Sequence, residues 1–398
     1  MRERSIILFE PICRGSRLQI LVNTVSAIRK TSQRPIKIVT RSDYQTTHLN
    51  EILGESLGQL EFVVADTDLE GCWIKILSKK EMQLMLIALE RAVISCQSAD
   101  VIFMALDEYL KPMLPQLSRI RRLLRNCRVF VMKYRVEYLL VNRRMDIRAH
   151  LLNAITRWTL YRLRAILVCF DERFEVCSKA SLNAIVVPDP WFGDFSASRR
   201  NSARIKYGYA DDVFVVLTLG RQDRRKGFPL VMEILPMLLQ AQNIQLFVVG
   251  KIDPEFLVMF AKLKRLYSDS IQHIERFVDE DELPDVFACA DVFLLPYAKD
   301  FTSTSGTLPR AAASGVPVVS GEHGLVGHRI TTYGLGDVCN IASAENLLHS
   351  VLVVKSYTAV KKAAVSIALQ QFAASTHIDV FEKVVGQLIV EPQWEVDR

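Results

Sequence analysis

The 398-residue chain has no uninterrupted apolar run of about 18 residues, the length needed to cross a bilayer. A membrane-spanning protein is therefore not expected, although half of the residues are hydrophobic. Its eight cysteines (13, 72, 96, 127, 169, 177, 289 and 339) include no C-x-x-C pair and no metal-ligand spacing. They read as reduced thiols in the core of a cytoplasmic protein. Neither a disulfide framework nor a bound metal is expected. No internal repeat of solenoid period and no nucleic-acid-binding module is evident, so nucleic acid is not an expected partner. The N-terminus has a basic start but only a short apolar run, Ser5–Phe9, followed by Glu10. That suits a first β-strand better than a signal peptide.

What is present is a regular alternation of apolar strands and amphipathic helices. Ser5–Phe9, Ile36–Thr40, Leu60–Ala65, Val101–Ala105, Val129–Lys133, Ile166–Phe170 and Ile185–Val187 read as strands, with helices such as Leu18–Lys30 and Lys79–Cys96 between them. Such alternation predicts an α/β domain with a parallel sheet covered on both faces. Pro188, Asp189 and Pro190 interrupt it, and a polar stretch follows. We place a first Rossmann-like domain at 1–190, a linker at 191–205 and a second Rossmann-like domain at 206–375. The helical tail Tyr357–Ile389 ends by packing back on the first domain, with 376–392 as the joining segment.

Two stretches of the second domain carry chemistry. From Asp291 to Gly321 a buried strand (Asp291–Tyr297) leads into Thr302, Ser303, Thr304, Ser305, Gly306 and Thr307, then a short Ala-rich helix and a second strand, Val316–Ser320. Free N–H groups at a helix start, hydroxyl donors and a glycine suit an anion. An ordinary capped helix fits the same residues. The second stretch, Gly220-Arg221-Gln222-Asp223-Arg224-Arg225-Lys226-Gly227, follows the strand Val213–Leu219 and places cations beside a glycine turn. It fits either a diphosphate or a solvated basic turn. Both loops lie at carboxyl ends of strands in one domain, where α/β proteins bind ligands.

The order of G-R-x4-K-G (Gly220 to Gly227), LFVVGK (Leu246 to Lys251), FVDEDELPDVFACADVFLLP (Phe277 to Pro296) and AAASGVPVVSGEHGLVGHRI (Ala311 to Ile330) resembles the C-terminal domain of GT-B glycosyltransferases. It is most similar to family 4, the glycosyl transferases group 1. The first domain resembles that family by pattern alone. The resemblance implies two Rossmann-like domains facing a central cleft, and transfer of a sugar from a nucleotide diphosphate sugar to a hydroxyl acceptor, without a metal. Arg221 and Lys226 would stabilise the departing diphosphate. Gly220, Gly227, Ser303, Thr304, Ser305, Gly306 and Thr307 would line the donor site, with Phe277 and Val278 beside the base. The acceptor would be a growing polysaccharide or a lipid-linked glycan.

The resemblance has a gap. Many members carry two glutamates separated by seven residues, and the matching positions here fall near Thr302 and at Arg310. Arg310 fits a phosphate contact or a solvent-facing helix position. A chain that kept the fold and binds or scaffolds a sugar nucleotide without chemistry is the alternative reading. A phosphorylase or an epimerase is a weaker third. On the acceptor side Gly15 and Ser16 open the first helix, and Asp107 and Glu108 follow a strand end. Glu10, Asp43, His48 and His150 complete the candidates for a base.

Charge is uneven. Residues 111–164 hold fourteen Lys or Arg and two acids, Glu137 and Asp146, whereas the net charge of the chain is +6. Arg121, Arg122, Arg125, Arg143 and Arg144, with Trp158 and Tyr161 nearby, form a basic amphipathic surface. It suits an anionic membrane face or a solvated surface, and places the protein in the cytoplasm, peripheral on the inner membrane face.

Overall fold

The computed structural model describes residues 4–12, 16–41, 60–65, 77–96, 98–140, 147–176, 182–240 and 243–390. The chain divides into two compact units, Met1–Pro188 with Ile378–Arg398, and Asp189–His377. Among the described residues no helix is long and apolar enough to cross a membrane.

The first unit is built on β1 (Ser5–Phe9), β2 (Ile36–Arg41), β3 (Leu60–Ala65), β4 (Ala99–Phe103), β5 (Arg128–Lys133), β6 (Ala165–Cys169) and β7 (Ala184–Val186). All neighbours pair in parallel, in the order β3-β2-β1-β4-β5-β6-β7. Alternate residues serve opposite faces. Ile7, Phe9, Val101 and Phe103 pack under helix Lys79–Ile94 through Met82, Met85 and Leu89. Ile6, Leu8, Ile38 and Ile102 pack under helices Ser16–Thr31 and Ile378–Val390 through Leu21, Val25, Phe381 and Val385. Helix Lys79–Ile94 begins with a capping box: Glu81 N donates to Ser78 Oγ at 3.1 Å and Ser78 N to Glu81 Oε2 at 2.7 Å.

The second unit holds β8 (Phe214–Leu219), β9 (Ile244–Val249), β10 (Ile271–Ile274), β11 (Val292–Leu295), β12 (Val318–Gly321) and β13 (Gly336–Cys339), again all parallel, in the order β10-β9-β8-β11-β12-β13. Val216, Leu246, Val248 and Leu294 meet helix Phe228–Leu238 on one face, and Val215, Leu217, Phe247 and Phe293 fill the other. In each sheet the chain reverses its direction of growth once, between β1 and β4 and between β8 and β11. Crevices at the carboxyl ends of such strand pairs are where doubly wound sheets take ligands.

Three expectations need correction. The stretch 191–205 is no linker: it contains the turn Ala197–Arg199 and most of the helix Arg200–Tyr207, and belongs to the second unit. Its polarity serves ion pairs. Arg199 Nε donates to Asp285 Oδ1 at 3.0 Å, and Arg200 and Arg204 hold the two oxygens of Asp291, each at 2.5 Å. The strand expected at Asp291–Tyr297 stops at Leu295, because Pro296 has no N–H to continue the ladder. The tail is two helices, Ala359–Ser375 and Ile378–Val390, broken where Trp191 N donates to Thr376 O at 3.3 Å.

Asp291 is the polar centre of the second unit's edge, since Val215 N also donates to its Oδ2, at 2.7 Å. The Arg204 side chain is only 2% exposed. Asp291→Ala leaves the buried Arg204 charge to the carbonyls of Ala210, Asp211 and Val213 without its carboxylate, and is expected to destabilise this unit by roughly 3 kcal/mol, against less than about 1 kcal/mol for Arg200→Ala. Urea unfolding followed by a probe in the second unit checks this, and equal effects of the two substitutions would contradict it.

Candidate active site

In the second unit the two loops singled out from sequence meet at the carboxyl ends of β8 and β11. Gly220 N donates to Val249 O at 2.8 Å, and Gln222 N to Lys251 O at 2.9 Å, so the loop lies along the end of β9. Gly227 caps helix Phe228–Leu238 in the left-handed region at φ +73°, and a Cβ there would stand 1.7 Å from Pro296 O. Only glycine allows this approach, which brings the basic loop against the end of β11. Lys226 is half-buried as a result. Its Nζ donates to Leu219 O at 3.3 Å and sits 5.4 Å from the ring centre of Tyr297.

Tyr297 links the two loops. Its ring stacks on Phe301 at 3.9 Å, and Arg225 lies 5.5 Å from the Phe301 ring. Its hydroxyl bonds the Ser305 hydroxyl at 2.8 Å, and Ser305 in turn bonds the Thr307 hydroxyl at 2.9 Å. Ser305 is buried, so its hydroxyl faces inward. Ser303 and Thr304 are half-buried and their hydroxyls make no hydrogen bond among the described residues, which leaves them available to a ligand. Gly306 precedes helix Thr307–Ala313 in an ordinary helical conformation, at φ −61°.

Arg310 is not solvent-facing. Nη1 donates to Gly306 O at 2.9 Å and Nη2 to Glu280 Oε2 at 3.0 Å, with the side chain 11% exposed. It braces the hydroxylated loop against the segment after β10. Phe277 on that segment is 79% exposed, whereas Val278 is buried. Arg221 is exposed and pairs with Asp253 at 2.6 Å. Gly220, Lys226, Gly227 and the residues 303–307 are therefore brought together, and Arg221 and Phe277 stand at the outer edges. Tyr297 and Glu280 were not singled out in the sequence. Tyr297 was hidden at the end of an apolar strand run, and Glu280 in an acidic segment that reads as surface.

The first unit gathers charge at the matching place, the carboxyl ends of β1 and β4. Asp107 pairs with Lys133 and accepts from Tyr134 N at 2.7 Å. Glu108 pairs with Arg17 at 2.6 Å and with Arg135 at 3.4 Å. Glu10 is fully buried and its Oε1 accepts from Ile12 N at 2.8 Å. Burial pushes its carboxyl up to about 7, against the opposing pull of the Arg17 guanidinium and the Ile12 amide. His150 is exposed on helix Ile147–Leu163. Gly15, Asp43, His48, Arg143 and Arg144 lie outside the described residues, as does the side chain of Ser16.

With the geometry in place, comparison with known proteins defines the class. The chain is structurally similar to the HepE protein of Anabaena solved with UDP and glucose, at TM-score 0.67 and 10% identity over 97% of this chain and 99% of that one. A glycosyltransferase from Rickettsia africae ESF-5 superposes at TM-score 0.66 and 14% identity over 98% and 100%. WaaG, a glycosyltransferase involved in lipopolysaccharide biosynthesis, superposes at TM-score 0.61 and 13% identity over 97% and 99%. The fold is that of the GT-B glycosyltransferases. Residues 213–349, within the second unit, match the family model for glycosyl transferases group 1. The chain is similar to glycogen synthases of Streptococcus sanguinis (35% identical over 104 residues) and Streptococcus gordonii (34% over 104). Those matches cover 26% of this chain and 21% of the relatives, so the chain matches about a fifth of their length.

The buried Glu10 makes a pH prediction. Unfolded, this carboxyl ionises in the ordinary range, while in the folded protein it holds its proton until about pH 7. The folded state thus binds more protons between those limits, and its contribution to stability falls as pH rises through them. Thermal melts of wild type and Glu10→Gln are expected to diverge from about pH 5 to pH 7.5, the wild type losing stability relative to the variant. Parallel profiles would show that Glu10 is not the group responsible.

Proposed function

We propose that the protein is a glycosyltransferase that moves a sugar from a nucleotide diphosphate sugar to a hydroxyl acceptor. The observation that carries this reading is the meeting of the Lys226 loop and the hydroxylated 303–307 loop at the strand reversal of the second unit. The HepE structures holding UDP, UDP-glucose, or UDP with glucose lend a donor class to it. In the proposed reaction the acceptor hydroxyl attacks the anomeric carbon, the bond from that carbon to the β-phosphate oxygen breaks, negative charge collects on the diphosphate, and the hydroxyl proton passes to that leaving group or to an acceptor-side carboxylate. Lys226, half-buried over Tyr297, meets that charge, with Arg221 at the rim. Ser303, Thr304 and the amides at Gly306 and Thr307 hold phosphate oxygens and sugar hydroxyls, Arg310 braces that loop, and Phe277 and Val278 flank the base. No metal ion is invoked, because the cationic side chains supply the countercharge. Asp107, Glu108, Gly15 and Ser16 remain the acceptor-side candidates.

A non-catalytic sugar-nucleotide-binding protein is the competing reading, and it is favoured by one feature: arginine stands where the family often carries glutamate. Nucleotide release from a panel of UDP, GDP, ADP and dTDP sugars separates the two. One donor is expected to be turned over, with Lys226→Ala lowering kcat about 100-fold or more and Arg221→Ala less, since only Lys226 is half-buried beside the ring. Donor binding without turnover would establish the binding protein instead.

We further propose a glycan or lipid-linked acceptor reached from the cytoplasmic membrane face. Ile147, Leu151, Trp158 and Tyr161, at 86, 60, 51 and 81% exposure, fall on one stripe of helix Ile147–Leu163. Arginines 148, 157 and 162 flank it on the same helix. An anionic bilayer suits such a face, with apolar side chains at the interface and cations at the headgroups. In flotation with phosphatidylglycerol vesicles, Trp158→Ala/Tyr161→Ala and Arg121→Glu/Arg122→Glu/Arg125→Glu are each expected to abolish binding. Retained binding by both would remove the membrane from the account.

A further inference from the structure

The first unit contains a cavity of about 660 Å³ that the transfer reaction does not use. It opens at the amino ends of β4 and β5, where Ser98, Ala99 and Cys127 lie in its wall. The strand ends carrying Glu10, Asp107 and Glu108 are at the opposite edge of the same sheet. Its volume is that of a small-molecule site.

The charge in it is one-sided. Arg119, Arg122 and Arg125 recur every third residue along helix Leu117–Leu123 and the turn after it, so one face of this segment turns all three toward the cavity. Arg121, on the same helix, does not line it. The single carboxylate in the wall, Glu90, pairs with Arg119 at 2.5 Å. Arg122 and Arg125 make no ion pair among the described residues. Val93 and Leu123 give the wall an apolar part, and Asn126 a neutral donor. Two uncommitted guanidiniums over a half-apolar pocket match a dianion attached to a less polar body. Planar forked donors favour phosphate oxygens over a point charge.

We propose that this cavity binds a phosphate monoester, with Arg122 and Arg125 holding the phosphate and Arg119 fixed beside them by Glu90. Two sources present that chemistry, a soluble sugar phosphate and a phosphatidic acid headgroup. Two probes separate them: glucose 6-phosphate measured by calorimetry, and vesicles of phosphatidylcholine with phosphatidic acid measured by flotation against vesicles with equal charge from phosphatidylglycerol. The variants are Arg122→Ala/Arg125→Ala and, as a charge-matched control off the cavity and off the proposed membrane face, Lys79→Ala/Lys80→Ala. All four side chains are exposed, so both variants should fold, and melting curves verify it.

The cavity variant is expected to weaken binding of one probe by about tenfold or more, with the control variant close to wild type. Glucose 6-phosphate as that probe identifies a soluble ester. Preference for phosphatidic acid over phosphatidylglycerol, lost only in the cavity variant, identifies a headgroup. The proposal is overturned if neither probe binds, if the cavity variant binds as wild type does, or if both variants lose binding equally, which would reveal a diffuse surface field.

Discussion

Backbone must lie against backbone at the carboxyl ends of β8, β9 and β11, and this constraint organises the second unit. A Cβ at Gly227 would fall 1.7 Å from Pro296 O, and one at Gly250 would fall 2.1 Å from Gly220 O. Both glycines are in the left-handed region, at φ +73° and +122°. Because these contacts leave no room for a side chain, the basic loop is pinned to the end of the neighbouring strand. Lys226 lies over Tyr297, and Tyr297 is linked to Ser305 and Thr307 through a chain of hydroxyls. A buried polar chain of this kind is rigid only while every member is satisfied. The half-buried Ser303 and Thr304 immediately precede Ser305 in this chain.

The two units use the same topology for opposite electrostatic ends. At the strand reversal of the second unit stand Lys226 and the hydroxyls of Ser303 and Thr304, the groups to which the proposed function gives the phosphates. At that of the first unit, Asp107, Glu108 and Glu10 lie among Lys133, Arg17 and Arg135. Asp107 and Glu108 are paired with these cations, and burial pushes the Glu10 carboxyl up to about 7.

Much of this was legible in the sequence, for reasons of period and punctuation. Strands buried on both faces read as continuous apolar runs, and glycines at strand ends mark loops that must pass close to backbone. The Lys226 loop and the 303–307 loop could be found that way. Pairings between distant segments could not. Nothing local tells that Arg200 and Arg204 serve Asp291, so a structured, arginine-rich turn and helix read as a linker. Arg310 looked free because its partner, Glu280, is thirty positions away. Tyr297 looked like one more strand residue, although Pro296 ends the ladder just before it.

The central claim is that the Lys226 loop and the 303–307 loop form one diphosphate site. A crystal structure of the protein with the nucleoside diphosphate that it binds tests this most directly. The account predicts the diphosphate at the carboxyl ends of β8 and β11, with oxygens in hydrogen-bond contact with Lys226 Nζ and with the amides of Gly306 or Thr307. A nucleotide bound elsewhere, with Lys226 still turned to Leu219 O, would contradict it.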